Sequence, residues 1–399
     1  MPANTGVAGV TNEVLQEALS AYSDEAYTNA RKLSGTGIVG SNSDIDTNTE
    51  TFIGQVRWDK PLNPNINVAS ITDSTDGTTT DTSTDMLRYV KTVRTHGARN
   101  VNMKKVITQR DGLAKIGRDF GETQAQDEHN AILSVLKGVA ISEALTGAGE
   151  GSGSAGVGGQ SFDNDPSSST SGFYVDLGSD KIIKTFDNTK ASMEQGAQRA
   201  EGFLNALGMG WKDYELPFYY LVTSPETMAS LRSANLVDQD TVSDGSIDFQ
   251  TIFGGKFRLI QTRAAQGFTS AQLTKINTGA GVDIVGTKTS FIVAPGALAM
   301  AGLEVPTPLE IDRDAKAYMG GGTTEIWKRW GYVLAPAGYN WNGSEDKFVG
   351  DAEYMYAVEG GTAKALTSVT SGTLASTVGT FERKASSALS LGIMPVFHS

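Results

Sequence analysis

Residues 51–107 carry a long polar hairpin pattern that offers no apolar core of its own. Two extended arms, residues 51–59 and 86–107, flank a tip at residues 70–81 that is rich in Thr and Asp. A two-stranded hairpin of this length is marginally stable by itself in water. The pattern therefore predicts that the hairpin lies on a surface belonging to another body, most simply a neighbouring copy of the same chain.

A helix is predicted on either side of this hairpin. Thr11 can cap a first helix whose apolar residues recur at helical spacing as far as Ala30, before Ser34-Gly35 ends it. Its apolar stripe is narrow, so we expect an arm and not a domain. The second helix is predicted at residues 122–145, where its apolar residues lie on one side. At about 1.5 Å per residue it would extend roughly 35 Å, which indicates a structural axis.

A compact mixed α/β region is predicted after a Gly- and Ser-rich linker at residues 147–171. Ser224 followed by Pro225 is a specific signal for the start of a helix, which we expect to run to Ala234. The region also contains a predicted helix at 180–207 and predicted strands at 218–222, 257–260 and 290–293.

Beyond Pro308 the pattern changes to an alternation of polar and apolar residues. This alternation predicts a second hairpin, with strands at 309–314 and 323–334 and a flexible tip at 318–322. The tail is expected to add a short helix at 372–379 and a last strand at 387–397. The fold class predicted from these elements is α+β.

Charge and composition restrict the classes of partner. The chain has 399 residues, a net charge of −12 and 46 glycines, and its isoelectric point is near 4.8. The glycine content favours a protein rich in loops and sheets. Direct binding to nucleic acid phosphates needs clustered Lys and Arg, which this sequence lacks.

Three features that the sequence lacks bear on the stability and the location of the protein: cysteine, a signal peptide and a membrane span. Because there is no cysteine, disulfides and thiolate metal sites are excluded, and synthesis in a reducing compartment fits. Residues 1–7 lack the basic and apolar regions of a signal peptide, and the apolar run 291–303 is interrupted by Pro295 and is too short to cross a membrane. We expect a soluble protein that is not exported.

A glycine motif at the end of the first helix matches a dinucleotide-binding pattern by spacing only. Gly35, Gly37 and Gly40 satisfy G-x-G-x-x-G. That motif needs a strand before it and a helix after it, whereas here it follows a helix. A flexible joint between the helix and the hairpin is the better interpretation.

A second short motif resembles the start of a calcium loop. Asp44, Asp46 and Asn48 have the right spacing, but Thr49 replaces the turn glycine and Gln55 replaces the bidentate Glu. We therefore predict no metal site there.

No catalytic constellation is recognisable. His96, His129 and His398 are too scattered for a metal site or a general base network, and no G-x-S-x-G motif occurs. The aromatic residues of the second hairpin alternate as in a packed strand face and not as in a ligand cage; they are Trp327, Trp330, Tyr332, Tyr339 and Trp341. We predict no catalytic, cofactor or metal residues, and no enzyme.

The order of these elements resembles a known family, the HK97-type major capsid protein of tailed bacteriophages. The resemblance covers nearly the whole chain. It is carried by MLRYV at 86–90 leading into the helix after 120, by LVTSPE at 221–226, by IFGGKF at 252–257 and by WGYVLAPAGY at 330–339.

The resemblance implies a division of the chain into parts. Residues 1–40 would be an N-terminal arm, and 41–117 the extended loop (E-loop) that lies over the next subunit. A peripheral domain would comprise 118–172, with the spine helix and linker, and 307–345, with the second hairpin. An axial domain would span 173–306, and 346–399 would return to it.

The resemblance also implies partners and a location. Copies would assemble as hexamers and pentamers into an icosahedral shell around double-stranded DNA, without sequence-specific contact and without a membrane. The shell would form in the host bacterial cytoplasm and persist in the virion. A separate scaffolding protein, a portal protein and possibly a decoration (cement) protein are the expected partners.

Some members of the family weld subunits together by an isopeptide bond between Lys and Asn. Lys60 and Lys91 are available in the long hairpin, but residues 318–324 contain no Asn. We therefore expect no covalent crosslink.

Two other classes share part of this pattern. An encapsulin-like cellular compartment would use the same fold to enclose a cargo enzyme. A surface-layer or adhesin-like β-rich protein would share the loops rich in Thr, Ser and Gly, although the missing export signal speaks against it.

Overall fold

A computed structural model gives the conformation of the chain in separate stretches. The described residues are 12–31, 33–41, 44–59, 84–101, 112–149, 175–176, 218–233, 237–244, 247–252, 255, 257–263, 267–272, 274–275, 288–314, 316, 322–343, 346–369, 378–383 and 392–398.

Bounds are defined for four α-helices and 18 strands, in the mixed α+β class that the sequence predicts; residues 270–272 and 274–275 are helical as well. In chain order they are α1 Asn12–Ala30, β1 Val39–Ser41, β2 Ile53–Asp59, β3 Thr84–Val101, α2 Gly112–Gly149, β4 Val175–Asp176, β5 Tyr219–Thr223, α3 Pro225–Ser233, β6 Val237–Asp244, β7 Ile247–Ile252, β8 Phe257–Gln261, β9 Lys288–Val293, β10 Leu298–Gly302, β11 Leu309–Asp314, β12 Thr323–Pro336, β13 Tyr339–Trp341, α4 Asp351–Tyr354, β14 Tyr356–Glu359, β15 Thr362–Ala365, β16 Val378–Gly379, β17 Phe381–Arg383 and β18 Ile393–His398.

Two large sheets organise these strands. The first has the order β1-β10-β12-β3-β2, with β11 also paired to β12. The second has the order β4-β18-β9-β5-β8-β7-β6. Smaller sheets pair β13 with β17, and β14 with β15 and β16. The last strand of the chain therefore returns to the sheet that β5 and β9 build.

The main core lies where the second half of α2 meets both sheets. Its members include Ile132, Leu136 and Val139 from α2, Phe291 from β9 and Tyr332 from β12, all with at most 1% of their surface exposed. The two large sheets are therefore joined through one apolar cluster along the helix. Burying this much apolar surface is the main favourable contribution to the stability of the fold.

Local sequence signals located most element types correctly. The strand and helix around Ser224 are as predicted: β5 leads into α3, and the amide of Thr227 donates to Ser224 Oγ at 3.2 Å as an N-cap. The second hairpin is confirmed by β11 and β12, which pair antiparallel from Leu309↔Lys328 to Asp314↔Thr323.

The predicted start of the spine helix, residue 122, is wrong. Helix α2 begins at Gly112 and has 38 residues, which corresponds to about 57 Å. Gly117 and Gly121 lower the helix propensity of the first turns and so hid them. They are needed because α1 packs here: a Cβ at Gly121 would come within 2.7 Å of the Tyr27 amide nitrogen, and one at Gly117 within 2.9 Å of Tyr22 Cβ.

The interpretation of residues 86–107 as one arm of a free excursion is also wrong. Strand β3 pairs with β2 only as far as Val90, and then pairs with β12 from Lys91↔Val333 to Val101↔Thr323. The second part of this arm is thus a central strand of the molecule's own sheet. Its partner strand follows more than 200 residues later, so no local pattern could reveal the pairing.

Other predictions fall partly or wholly outside the described residues. The linker prediction is wrong at 147–149, which belong to α2. Residues 150–171, the predicted helix at 180–207 and most of the tip at 318–322 lie outside the described residues. Of the helix predicted at 372–379, only 378–379 are described, and they form strand β16. The last strand is confirmed from Ile393 onward.

Several elements were missed. The hairpin of β6 and β7 was missed because it contains few apolar residues. Strand β10 was missed because it follows β9 after a tight turn, in which Gly296 has a φ of +71°. This turn splits the apolar run 291–303 into two strands.

Candidate functional site: the base of the long hairpin and its attachment to the spine helix

The base of the long hairpin is a regular antiparallel pair. Register runs from Ile53↔Val90 to Asp59↔Thr84, so the strands are still paired where the described part of the hairpin ends. One face, with Val56, Leu87 and Tyr89, is buried in a small apolar cluster against β10 and β12. The base is therefore fixed to the body of the molecule.

The outer side of this base is the edge of its sheet. Strand β2 is the last strand in the order, and within the described residues no strand pairs with its second edge. Met86, on the face opposite to Leu87, is 51% exposed. Edge strands and exposed apolar area are features that other chains can cover.

Lys91 anchors the loop before β2 to the point where β3 leaves the hairpin. Its side chain is fully buried, and Nζ donates to Asp46 Oδ2 at 2.8 Å, to Thr51 Oγ1 at 3.1 Å and to the carbonyl of Asn48. The hydrogen bond from Lys91 holds the pKa of Asp46 below its ordinary value. The contribution of this ion pair to the stability of the fold is complete above the ordinary pKa of an Asp. It is lost as the pH falls through the lowered pKa of Asp46.

The residues that mimic a calcium loop take part in the same arrangement. Asp46 Oδ1 accepts the amide of Asn48 at 3.0 Å, and Asn48 Oδ1 accepts the amide of Glu50 at 2.9 Å. The amide of Asp46 donates to Tyr89 Oη at 2.7 Å. The side-chain oxygens therefore hold turns of the loop in place.

Truncation of Lys91 should release this loop. We expect Lys91→Ala to lower the free energy of unfolding by about 2 kcal/mol or more, because it leaves a cavity and removes three hydrogen bonds. Lys91→Met keeps most of the packing and should cost less. Urea unfolding measures both effects, and equal stabilities of the alanine variant and the wild type would contradict the anchoring role.

Asp127 of α2 is the centre of a second polar cluster, which we call the Asp127 hub. Trp330 Nε1 and Tyr332 Oη each donate to Asp127 Oδ2 at 2.9 Å, and Arg94 Nε donates to Oδ1 at 3.2 Å. These donors come from β12 and β3. One carboxylate thus ties the spine helix to the two central strands of the first sheet.

Arg94 extends the hub to the C-terminal part of the chain. Its Nη1 donates to the carbonyl of Val349 at 2.8 Å, and its Nη2 to Asp351 Oδ1 at 2.7 Å. Burial raises the pKa of Asp351, and burial also raises that of the Tyr332 phenol. Strand β3 therefore continues from the hairpin base directly into a network that holds α2, β12 and α4 together.

The aromatic residues of the second hairpin are mainly packing residues, as predicted. Trp330, Tyr332, Tyr339 and Trp341 are buried, whereas Trp327 is 40% exposed. The indole of Trp327 lies over Gly97 of β3, where a Cβ would come within 2.6 Å of the ring.

The structure does not bring the three histidines together. The ring of His96 contacts Phe120 edge-on, with 5.4 Å between ring centroids. His129 Nε2 lies 2.8 Å from Thr262 Oγ1, and His398 lies in β18 opposite Lys288. Within the described stretches, no group of three His, Asp or Glu side chains could hold a metal ion.

The glycine motif lies at two close contacts. A Cβ at Gly37 would lie 2.5 Å from the hydroxyl oxygen of Tyr220, and a Cβ at Gly40 would lie 3.3 Å from Gly296 Cα. The motif leads into strand β1 and not into a helix. These glycines therefore serve packing between the first sheet and β5.

A groove of about 990 Å³ lies between α1, α2 and the end of β8. Its lining carries both signs of charge, with Arg118 and Arg263 beside Glu25 and Glu122. No ligand class is indicated by this mixture. In the parts of the chain that the structure covers, no helix is long and apolar enough to cross a membrane.

Sequence reasoning missed the Asp127 hub. Asp127 lies within the polar run QDEHN at 126–130, so no local pattern marked it as a buried group. Buried acidic residues are hydrogen-bonded, but the partners of Asp127 lie on other strands.

Comparisons with known proteins gave only distant structural likeness. No protein-family model matches the sequence, and no curated protein matches it. Among solved structures, the head structure of Helicobacter pylori bacteriophage KHP40 is similar over 93% of this chain and 91% of that chain, with 9% identity and a TM-score of 0.44. The capsid of Ralstonia phage GP4 is similar over 77% and 87%, with 12% identity and a TM-score of 0.44.

A further similar structure is the capsid asymmetric unit of cyanophage Pam1, with 79% and 88% coverage, 9% identity and a TM-score of 0.42. Because each of these TM-scores is below 0.5, the likenesses do not by themselves establish a shared fold or a shared function.

Proposed function

We propose that this protein is a structural major capsid protein of the HK97 type, which assembles as hexamers and pentamers into the icosahedral head shell of a tailed bacteriophage. The observation that carries the proposal is strand β3. It runs from the paired base of a long hairpin, next to the edge strand β2, straight into the central sheet and the Asp127 hub.

This arrangement suits a subunit that must transmit force between neighbours. A contact between the hairpin and a neighbour would exert force on β3. Strand β3 is bound to the 38-residue helix α2 through Arg94 and Asp127. Shell subunits gain stability from many heterologous contacts that close only by symmetry. A rigid connection between a reaching hairpin and a spine helix maintains the angle between such contacts.

The parts of the chain take roles in this proposal that follow the resemblance. Residues 1–40 are the N-terminal arm and 41–117 the extended loop. Residues 118–172 and 307–345 form the peripheral domain. Residues 173–306 form the axial domain at the five-fold and quasi-six-fold vertices, with 346–399 returning to it.

The charge of the chain supports the proposed content of the shell. A net charge of −12 disfavours adhesion to DNA phosphates, so the enclosed double-stranded DNA stays free to pack and to leave. The protein acts in the virion as a structural component and not as an enzyme. It assembles in the host cytoplasm with a scaffolding protein, a portal protein and possibly a decoration protein.

Electron microscopy of the expressed full-length chain tests the proposal. We expect closed shells in negative stain, alone or together with a co-expressed scaffolding protein. A monomer that persists at high concentration under both conditions would contradict it. Particles filled with a protein cargo in place of nucleic acid would favour the encapsulin-like alternative.

The same particles allow a test of crosslinking. The amine of Lys91 is buried and is bound to Asp46, so it is not available to an Asn of another copy. We expect denaturing electrophoresis of particles to give a single monomer band. A ladder of higher bands would show that Lys60 or another lysine forms covalent links between subunits.

A further inference from the structure

The contact between α1 and the spine helix contains a buried carboxylate without a cation next to it. Glu128 of α2 is 3% exposed. Tyr27 Oη of α1 donates to it, 2.8 Å from Oε1 and 2.7 Å from Oε2, and Gln124 Nε2 lies 3.4 Å from Oε1. In the described part of the chain no Lys, Arg or His nitrogen lies within ion-pair distance of Glu128.

Charged groups surround this position at longer range. Arg31, directly after α1, is directed to Ser34, with Nε 3.0 Å from Oγ and Nη2 2.9 Å from the carbonyl oxygen. Arg31 and Ser34 both favour the ionised form of Glu128, but burial outweighs them. Lys328 of β12 donates to Ser23 Oγ at 2.5 Å and interacts electrostatically with Asp24 of α1 and with Glu128. On β3 the group opposite Lys328 is His96, whose ring rests on Phe120. None of these cations neutralises the carboxylate by direct contact.

Helix α1 buries few apolar side chains among those that are described. Leu19 is the only buried apolar one of them, in a small cluster with Phe120 and Ile326. The two helices also approach closely at Gly117 and Gly121. By contrast, Leu33 and Ile38, which follow the helix, are fully buried in the main core. The chain is thus anchored in the main core directly after α1, and the described contacts of α1 with α2 include the polar pair of Tyr27 and Glu128.

We propose that α1 is a pH-gated arm, which packs tightly on α2 while Glu128 is protonated and loosens when Glu128 ionises. The protonated carboxyl group accepts a hydrogen bond from Tyr27 and buries no charge. The ionised carboxylate is desolvated on burial, and no ion pair compensates the cost in free energy. This inference concerns the single chain and does not depend on the shell proposal.

The sign of the effect follows from linkage. Burial raises the pKa of Glu128 in the packed state above its value in the released state. Packing of α1 is therefore favoured at low pH, and this preference is lost as the pH rises through the raised pKa. Lys328, whose pKa burial lowers, acts with the opposite sign on the alkaline side.

Hydrogen exchange of the full-length chain tests the proposal. Exchange of peptides from residues 12–30 is followed by mass spectrometry from pH 5 to pH 8.5 and corrected for the intrinsic exchange rate. We expect the protection of these peptides to fall several-fold as the pH rises, while peptides from the buried half of α2 keep theirs. This comparison within the wild type needs no variant.

Three variants assign the effect to Glu128. Glu128→Gln keeps an acceptor for Tyr27 and removes the charge, so α1 should stay protected at every pH. Glu122→Gln makes the same change at an exposed position of α2, and His96→Gln removes the nearby imidazole; both should follow the wild type. A flat wild-type profile, a retained slope in Glu128→Gln, or a lost slope in His96→Gln would each overturn the proposal.

Discussion

Joining Asp59 to Thr84 through an Asn-Gly turn should give a folded subunit that no longer closes shells. These two residues are direct partners at the end of the described hairpin base. A two-residue Asn-Gly loop fits such an antiparallel pair without disturbing it. The base is held by its apolar face and by Lys91, so removal of residues 60–83 should leave the fold intact and remove the segment that we propose contacts a neighbour.

Thermal unfolding and electron microscopy separate these two effects. The unfolding midpoint of the deletion variant should stay close to that of the wild type, while closed particles disappear. A matched control places Asn-Gly at Thr78 and Thr79 within the full-length hairpin, and this variant should assemble. Full-size shells from the deletion variant would refute the role of the hairpin in assembly.

Replacement of Asp127 by Ala should cause the largest loss of stability among single substitutions in the hub. Three donors, Arg94 Nε, Trp330 Nε1 and Tyr332 Oη, lose their acceptor at once. Removing one partner of a largely buried charged network typically costs about 3 to 5 kcal/mol. We expect a loss near the lower end, about 3 kcal/mol, because Asp127 retains 16% side-chain exposure.

Urea unfolding measures this loss, and two other variants define its origin. Asp127→Asn keeps an acceptor for Trp330 and Tyr332 but places an amide beside Arg94, so its stability should be intermediate. Glu122→Ala, at an exposed position of the same helix, should stay within about 0.5 kcal/mol of the wild type. If Asp127→Ala were as stable as Glu122→Ala, the hub would not connect α2 to the sheet energetically.

Local patterns in the sequence were sufficient for several elements. The alternation at 309–314 and 323–334 predicted the second hairpin because successive residues of a strand point to opposite faces of the sheet, and the two strands pair antiparallel. The Ser224-Pro225 pair predicted the start of α3 because the cap and the fixed φ of proline act within one turn. Such signals depend on residues that are close in sequence.

Other features depend on residues that are far apart, and the sequence did not reveal them. The first turns of α2 contain glycines that disfavour a helix locally, and only the close approach of α1 explains them. The buried position of Lys91 likewise depends on Asp46, Asn48 and Thr51, which lie 40 or more residues earlier.

The sequence by itself determined most of the described element types, the second hairpin and the base of the long one, and it raised the expectation that the long hairpin needs a foreign surface. The tertiary structure decided that β3 is at once an arm of that hairpin and a central strand, and that Asp127 and Glu128 attach α2 to different partners. The physical reason is the sequence separation over which these interactions act. Periodicity and capping depend on residues within a few positions of each other. Strand pairing and the burial of charge depend on distant segments that the fold brings into contact.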